Sequence, residues 1–173
     1  MPIQDEVQKA VINLTRGWAP DSINNVLAQL FDGMFAIGGY DMRPDSVPAA
    51  YTHAVRRAFY TDNCQLLPAQ SRECALVALL ASQGAEANLA LHIFIAAAAG
   101  IPVDDIVDLL FLTGIYCGAN LLTKSLRVAA KTFDAIIQAD KDGVRGPAAV
   151  FRAVVKEFPD PAFDLAAARL KTL

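Results

Sequence analysis

The sequence is poor in the residues that build disulfide frameworks and metal sites. It has three cysteines, an odd set without close pairing, and only two histidines, His53 and His92. The disulfide framework of a secreted domain and a His-rich metal site are therefore both excluded. Motifs for binding phosphate or a dinucleotide are also missing. We expect no cofactor and no metal, and the unpaired thiols favour a reducing cytoplasm.

Basic surface and long apolar runs are scarce as well. The net charge is −3 and the 15 Lys and Arg residues are scattered, so the concentrated basic surface that binds nucleic acid is absent. The most apolar run, 87–99, is shorter than the ~18–20 residues that cross a bilayer. The N-terminus lacks the charged and then apolar order of a signal peptide. We expect neither a nucleic-acid partner nor a membrane association.

What the sequence has in excess is apolar residues, at 54% against 19% charged. Ala, Leu and Val dominate, strand-like alternation is rare, and Gly and Pro fall at intervals that separate helices. We therefore predict an all-α fold, with residues 1–173 forming one domain. The apolar excess favours further burial in a homo-oligomer.

Helix start and stop signals place the elements along the chain. The predicted helices lie near 5–15, 22–37, 47–60, 68–82, 86–99 and 102–116, between Gly118 and the turn at Asp142-Gly143, and near 147–157 and 161–170. Pro68 is expected at the first helical position of its helix. The helix after Gly118 is amphipathic, with one apolar and one charged stripe. The apolar stripe comprises Leu122, Leu126, Ala129, Phe133 and Ile136.

Two polar residues occupy unusual positions in this pattern. Glu73 shares a helical stripe with Leu76, Val77 and Leu80, and His92 lies within an apolar helix. Each has a simpler explanation, since Glu73 can complement the helix dipole and His92 can be a core histidine satisfied by a local partner. Asn88, one turn before His92, is a candidate for that partner.

Taken together, Glu73 and His92 predict two adjacent antiparallel helices that meet through a buried polar pair. A carboxylate coupled to an imidazole can transfer protons near neutral pH, which is general acid/base chemistry. Tyr116 and Cys117 end the following helix just before Gly118, so either can line a neighbouring pocket. His53 is expected at the surface.

Several segments together resemble the carboxymuconolactone decarboxylase family, which also includes the alkyl hydroperoxidase D-like proteins. They are LPAQSRECALVALLA from Leu67, then His92, then AGIPVDDI from Ala99, and Tyr-Cys-Gly from Tyr116. The resemblance covers about 67–133. It implies an all-α fold of the alkyl hydroperoxidase D-like type, assembly into trimers or hexamers, no bound cofactor, and an active site that includes Glu73 and His92.

The sequence departs from the redox branch of that family. There, two cysteines separated by two residues precede the histidine, and the corresponding positions here hold Ala85 and Asn88. The thiolate nucleophile and its resolving partner are absent, which disfavours peroxidase activity.

Three functions therefore stay open. The leading prediction is a cofactor-free acid/base enzyme acting on a small carboxylated or lactone-like metabolite. Glu73 and His92 would transfer the proton, with Asn88, Tyr116 and Cys117 at the binding site. The alternatives are a non-catalytic oligomeric or ligand-binding protein, and a thiol peroxidase using Cys117 or Cys74. A carboxylated substrate would need a cation, yet Arg72 is expected to face away from Glu73 and Arg127 lies on a polar face.

Overall fold

A computed structural model describes residues 3–19, 21–37, 46–47, 50–51, 54 and 67–160. Over these residues the chain forms seven complete helices and no strand, which confirms the all-α prediction. The helices are α1 (Ile3–Thr15), α2 (Ser22–Ile37), α3 (Ala69–Gln83), α4 (Glu86–Ala98), α5 (Val103–Cys117), α6 (Ala119–Lys141) and α7 (Pro147–Val155).

Glycines end the helices close to the predicted positions. Gly84 ends α3 in the left-handed conformation, at φ 65° and ψ 28°, and Gly118 separates α5 from α6 at φ 97°. Residues with a Cβ rarely adopt either conformation, so these glycines are effective helix stops. Pro68 is one position off, because its ψ of 146° makes it the N-cap residue of α3 and not the first helical residue.

Two predicted helices fall largely or wholly outside the described residues. For the helix near 47–60, the described positions Val47, Ala50, Tyr51 and Ala54 are all helical. The helix near 161–170 lies outside the described residues, as do His53 and Cys64.

Helix α4 is the centre of the core. Ten of its thirteen residues are buried, and α1, α3, α6 and α7 pack around it. A helix that is apolar nearly all round has to be enclosed in this way. Phe94 is fully buried, and its ring lies 6.1 Å from the ring of Trp18 and 5.8 Å from that of Phe151. No helix in the described part of the chain combines the length and apolar character needed to cross a bilayer.

Helix α6 is amphipathic as predicted. Ala129, Phe133 and Ile136 are buried, whereas Arg127 and Lys131 on the opposite face are exposed. Leu122 and Leu126, earlier in the apolar stripe, are half-buried. The helix thus supplies one wall of the core and a charged outer surface.

Helix α5 has an unusual outer face. Its inner positions Val103, Ile106, Leu110 and Gly114 are buried at spacings of three and four, as ridge packing requires. The second half of the outer face carries large apolar side chains that remain in solvent. They are Phe111 (46% exposed), Leu112 (53%), Ile115 (76%) and Tyr116 (83%). We call these four residues the α5 apolar face.

Candidate active site

Helices α3 and α4 form a hairpin that is fixed at both ends by side chains. At the open end, Gln70 Nε2 donates to the carbonyl oxygen of Ala99 at 3.1 Å. At the turn, Lys124 Nζ on α6 donates to the carbonyl oxygen of Gly84 at 3.0 Å and lies 3.2 Å from Glu86 Oε1. These contacts hold the two helices in register, so side chains facing each other across the hairpin keep a fixed separation.

Glu73 is completely buried, at 0% exposure. It lies on the inner stripe of α3 with Val77, also fully buried, while Leu76 and Leu80 are half-buried. Helix periodicity therefore placed this carboxylate correctly on the core side. A buried carboxylate is strongly destabilising unless it is hydrogen-bonded and its charge is balanced.

His92 on α4 supplies one of the hydrogen bonds. Its Nδ1 lies 2.8 Å from Oε2 of Glu73, and only 9% of its side chain is exposed. The hairpin thus brings together the two polar residues singled out in the sequence. No bond joins His92 to Asn88 within the described residues; Nδ1 is turned to Glu73 across the hairpin instead.

Arg72 supplies the second contact, and here the sequence-based prediction is wrong. Its Nε donates to Oε1 of Glu73 at 3.0 Å, and its side chain is 11% exposed. Successive residues on a helix point about 100° apart, which led to the prediction that Arg72 faces away. The long arginine side chain curls back along the helix and brings the guanidinium to the carboxylate of its neighbour.

The three groups define one hydrogen-bonded arrangement. Both oxygens of Glu73 are occupied, Oε1 by Arg72 and Oε2 by His92. A carboxylate can only accept hydrogen bonds, so a proton on Nδ1 of His92 would make this contact a hydrogen bond donated to Oε2. In a neutral imidazole the lone pair then lies on Nε2. Nε2 has no hydrogen bond to any described residue.

The other predicted site residues lie outside this arrangement. Asn88 is half-buried one turn before His92 on α4. Tyr116 is 83% exposed at the end of α5, and Cys117 beside it is an exposed free thiol. Cys74, next to Glu73, is half-buried and also free. A role for any of them in binding stays a prediction.

Two surface cavities described in the structure are separate from the pair. One of about 440 Å³ lies between α6 and α7, and is lined by Lys131, Gln138 and Lys156 among others. One of about 410 Å³ is lined by Asn13, Arg16, Asp140 and Arg145. Over the described ranges, no three His, Cys, Asp or Glu side chains converge as a metal site would require.

The fold and the site define a class of protein, namely a helical protein in which a buried glutamate–histidine pair joins the two helices of a hairpin. The carboxymuconolactone decarboxylase family model matches residues 45–131, which is 87 of the 173 residues and includes both members of the pair. The chain therefore belongs to that family. The match begins at residue 45, well before the 67 expected from the quoted motifs. Comparisons with curated proteins and with solved structures gave no match.

Proposed function

We propose that this protein is a cofactor-free acid/base enzyme in which Nε2 of His92 transfers a proton to or from a small carboxylated or lactone-like metabolite. The observation that carries the proposal is the 2.8 Å contact between Nδ1 of His92 and the fully buried Glu73 carboxylate. A carboxylate that fixes the proton on one ring nitrogen leaves the other nitrogen ready for proton transfer.

In this proposal Glu73 and His92 have different roles, and only His92 contacts the substrate. Glu73 is sealed and both of its oxygens are occupied, so it acts as a positioning residue. It orients the imidazole and stabilises the imidazolium that forms when Nε2 takes up a proton. His92 is the proposed catalytic residue, and Asn88, Tyr116 and Cys117 remain proposed contributors to binding.

The reaction proposed for a carboxylated lactone is a decarboxylation. The bond between the carboxylate carbon and the ring carbon breaks, carbon dioxide leaves, and the electron pair is delocalised towards the lactone carbonyl. Nε2 of the neutral His92 takes up a proton from solvent, the resulting imidazolium Nε2–H protonates the carbon, and the imidazole returns to its neutral form. General acid catalysis of this kind typically contributes about 10²–10⁴-fold in rate.

The test uses carboxymuconolactone as the first probe and follows its ultraviolet absorbance with purified protein. We expect turnover by the wild-type protein and a loss of about 10²-fold or more in His92→Gln. His53→Gln, at the chain's only other histidine, is the matched control and should retain wild-type turnover. Equal turnover in His92→Gln and the wild-type protein would remove His92 from the mechanism.

A non-catalytic role is the second candidate, and the burial of the pair favours it. In this reading Glu73 and His92 only satisfy each other in the core, and the protein binds a ligand or assembles without turning anything over. His92→Ala would then cost about 1–3 kcal/mol in stability by leaving a buried group unpaired, with no turnover to lose. Unchanged stability of this variant would contradict the structural role.

A thiol peroxidase is the least favoured candidate, because Ala85 and Asn88 replace the two cysteines of the redox branch. Cys74 and Cys117 are both free thiols and would have to act without a resolving partner. If the double variant Cys74→Ser with Cys117→Ser consumed peroxide at the wild-type rate, thiol peroxidase activity would be ruled out. Free thiols also fit the cytoplasmic location that we propose for the protein.

We also propose that copies of this chain associate through the α5 apolar face, giving the trimer or hexamer that the family resemblance implies. Ile115 and Tyr116 are 76% and 83% exposed, and adjacent apolar side chains at such exposure favour a protein interface. Light scattering should give a multi-chain mass that falls in Ile115→Asp. The control Ile12→Asp alters an exposed isoleucine on α1 and should leave the mass unchanged.

A further inference from the structure

Arg72 contacts the buried pair but has no part in the proton transfer proposed above. Its Nε–H donates to Oε1 of Glu73 at 3.0 Å, on the opposite side of the carboxylate from His92. The side chain is 11% exposed, so this is a largely buried cation placed against a fully buried anion. The guanidinium therefore lies close enough to the pair to affect the charge of the His92 imidazole.

The charges in this cluster indicate the role of Arg72. The fully buried Glu73 carboxylate needs a compensating cation, and within the described structure Arg72 and His92 are the groups that contact it. An arginine side chain is always protonated in proteins, whereas an imidazole is protonated only when its surroundings favour the charge. Because Arg72 already balances the carboxylate, His92 can remain neutral.

Helices α1, α5, α6 and α7 also pack on α4, and none of their described side chains forms an ion pair with Glu73 or His92. Elsewhere in the described chain, ion pairs join Lys124 to Glu86 and Lys141 to Glu6. The charged groups of the cluster that includes His92 are thus Glu73, which contacts the imidazole, and Arg72, which contacts Glu73.

We propose that Arg72 is a positioning residue that keeps His92 neutral, with the proton on Nδ1 and the lone pair on Nε2. Without the guanidinium, the buried carboxylate would recruit the imidazole as its cation and hold a proton on both ring nitrogens. A histidine locked in that state could neither accept a proton nor readily release one. This catalytic consequence rests on the proposed function, but the protonation state itself does not.

The test is nuclear magnetic resonance of protein labelled with ¹⁵N-histidine at pH 7. Long-range ¹H–¹⁵N spectra distinguish a neutral imidazole, which has one protonated and one unprotonated nitrogen, from an imidazolium, which has two protonated nitrogens. The chain has only two histidines, so His53→Gln assigns the His92 signals by elimination. No substrate is present, so failure of the catalytic proposal would leave these spectra unchanged.

We expect wild-type His92 to be neutral with the proton on Nδ1. In Arg72→Gln the ratio of imidazolium to neutral imidazole should rise at least about tenfold, because a buried charge interaction of this kind is weakly screened. Arg72→Lys keeps the positive charge and should keep His92 neutral. An imidazolium in the wild-type protein, or a neutral His92 in Arg72→Gln, would overturn the proposal.

A double variant keeps the proposal testable if Arg72→Gln fails to fold. The pair Arg72→Gln with Glu73→Gln removes the cation and the anion together, so no buried charge demands a partner. We expect this protein to fold, as judged by circular dichroism, and to contain a neutral His92. An imidazolium in the double variant, or failure of the double variant to fold, would show that the charge of Glu73 is not what Arg72 balances.

Discussion

Replacing Glu73 by Gln should destabilise this protein far more than the same replacement at Glu86. Glutamine preserves the volume of the side chain, so the change tests charge and hydrogen bonding without opening a cavity. At Glu73 the new amide oxygen can accept one of the two existing hydrogen bonds, while the amide nitrogen is forced against the other donor. The variant therefore loses a charge-assisted bond, and the Arg72 guanidinium loses its contact with the Glu73 carboxylate.

The magnitude follows from these contacts. A hydrogen bond to a charged group contributes about 1.5–3 kcal/mol, and removing one partner of a buried ion pair costs about 3–5 kcal/mol. With Glu73 at 0% exposure and Arg72 at 11%, solvent can offset little of this loss. We expect the free energy of unfolding to fall by about 3 kcal/mol in Glu73→Gln.

Glu86→Gln provides the matched control on the same hairpin. Glu86 pairs with Lys124 at 3.2 Å, which is close to the distance between Arg72 and Glu73, but both side chains are almost half exposed. Ion pairs exposed to this extent typically contribute less than about 1 kcal/mol. The two variants thus differ in burial more than in geometry.

The assay is urea-induced unfolding at pH 7, followed by circular dichroism at one fixed protein concentration because association would add to the apparent stability. A similar cost for both variants, or a cost below about 1 kcal/mol at Glu73, would refute the claim that burial makes this cluster energetically dominant.

Two further predictions concern packing. Gly114→Ala should destabilise the protein by about 1–3 kcal/mol despite the better helix propensity of alanine, because the added Cβ would lie 2.6 Å from Cβ of Leu122 on α6; an increase in melting temperature would contradict this close approach. Phe94→Ala should cost about 3–5 kcal/mol, since its fully buried ring packs against Trp18 and Phe151. Phe111→Ala, at a residue that is 46% exposed, should cost much less in the single chain, and equal losses would argue against α4 as the centre of the core.

The helices could be predicted from the sequence because their ends carry strong local signals. Gly84 and Gly118 have conformations that few other residues adopt, and α3 to α6 begin or end within about two residues of the expected positions. The inward position of Glu73 also followed from periodicity, since 3.6 residues per turn place it above Val77. These are properties of the backbone and of a single helix.

The environment of Glu73 could not be predicted in the same way. The contact with Arg72 depends on the rotamer of a long, flexible side chain, which helix periodicity does not determine. The α5 apolar face was missed for a different reason. Hydrophobic residues at helical spacing normally indicate the core, and only the packing of neighbouring helices distinguishes Leu110, which is buried, from Ile115, which is 76% exposed.

The occupancy of both Glu73 oxygens has a consequence for stereochemistry. With the carboxylate sealed, a substrate at this site would meet a single exchangeable nitrogen, Nε2 of His92, on one side of its plane. In the proposed decarboxylation the proton delivered through that nitrogen would arrive on one face of the planar intermediate. In heavy water the product would therefore carry a single deuterium at the protonated carbon, in one configuration.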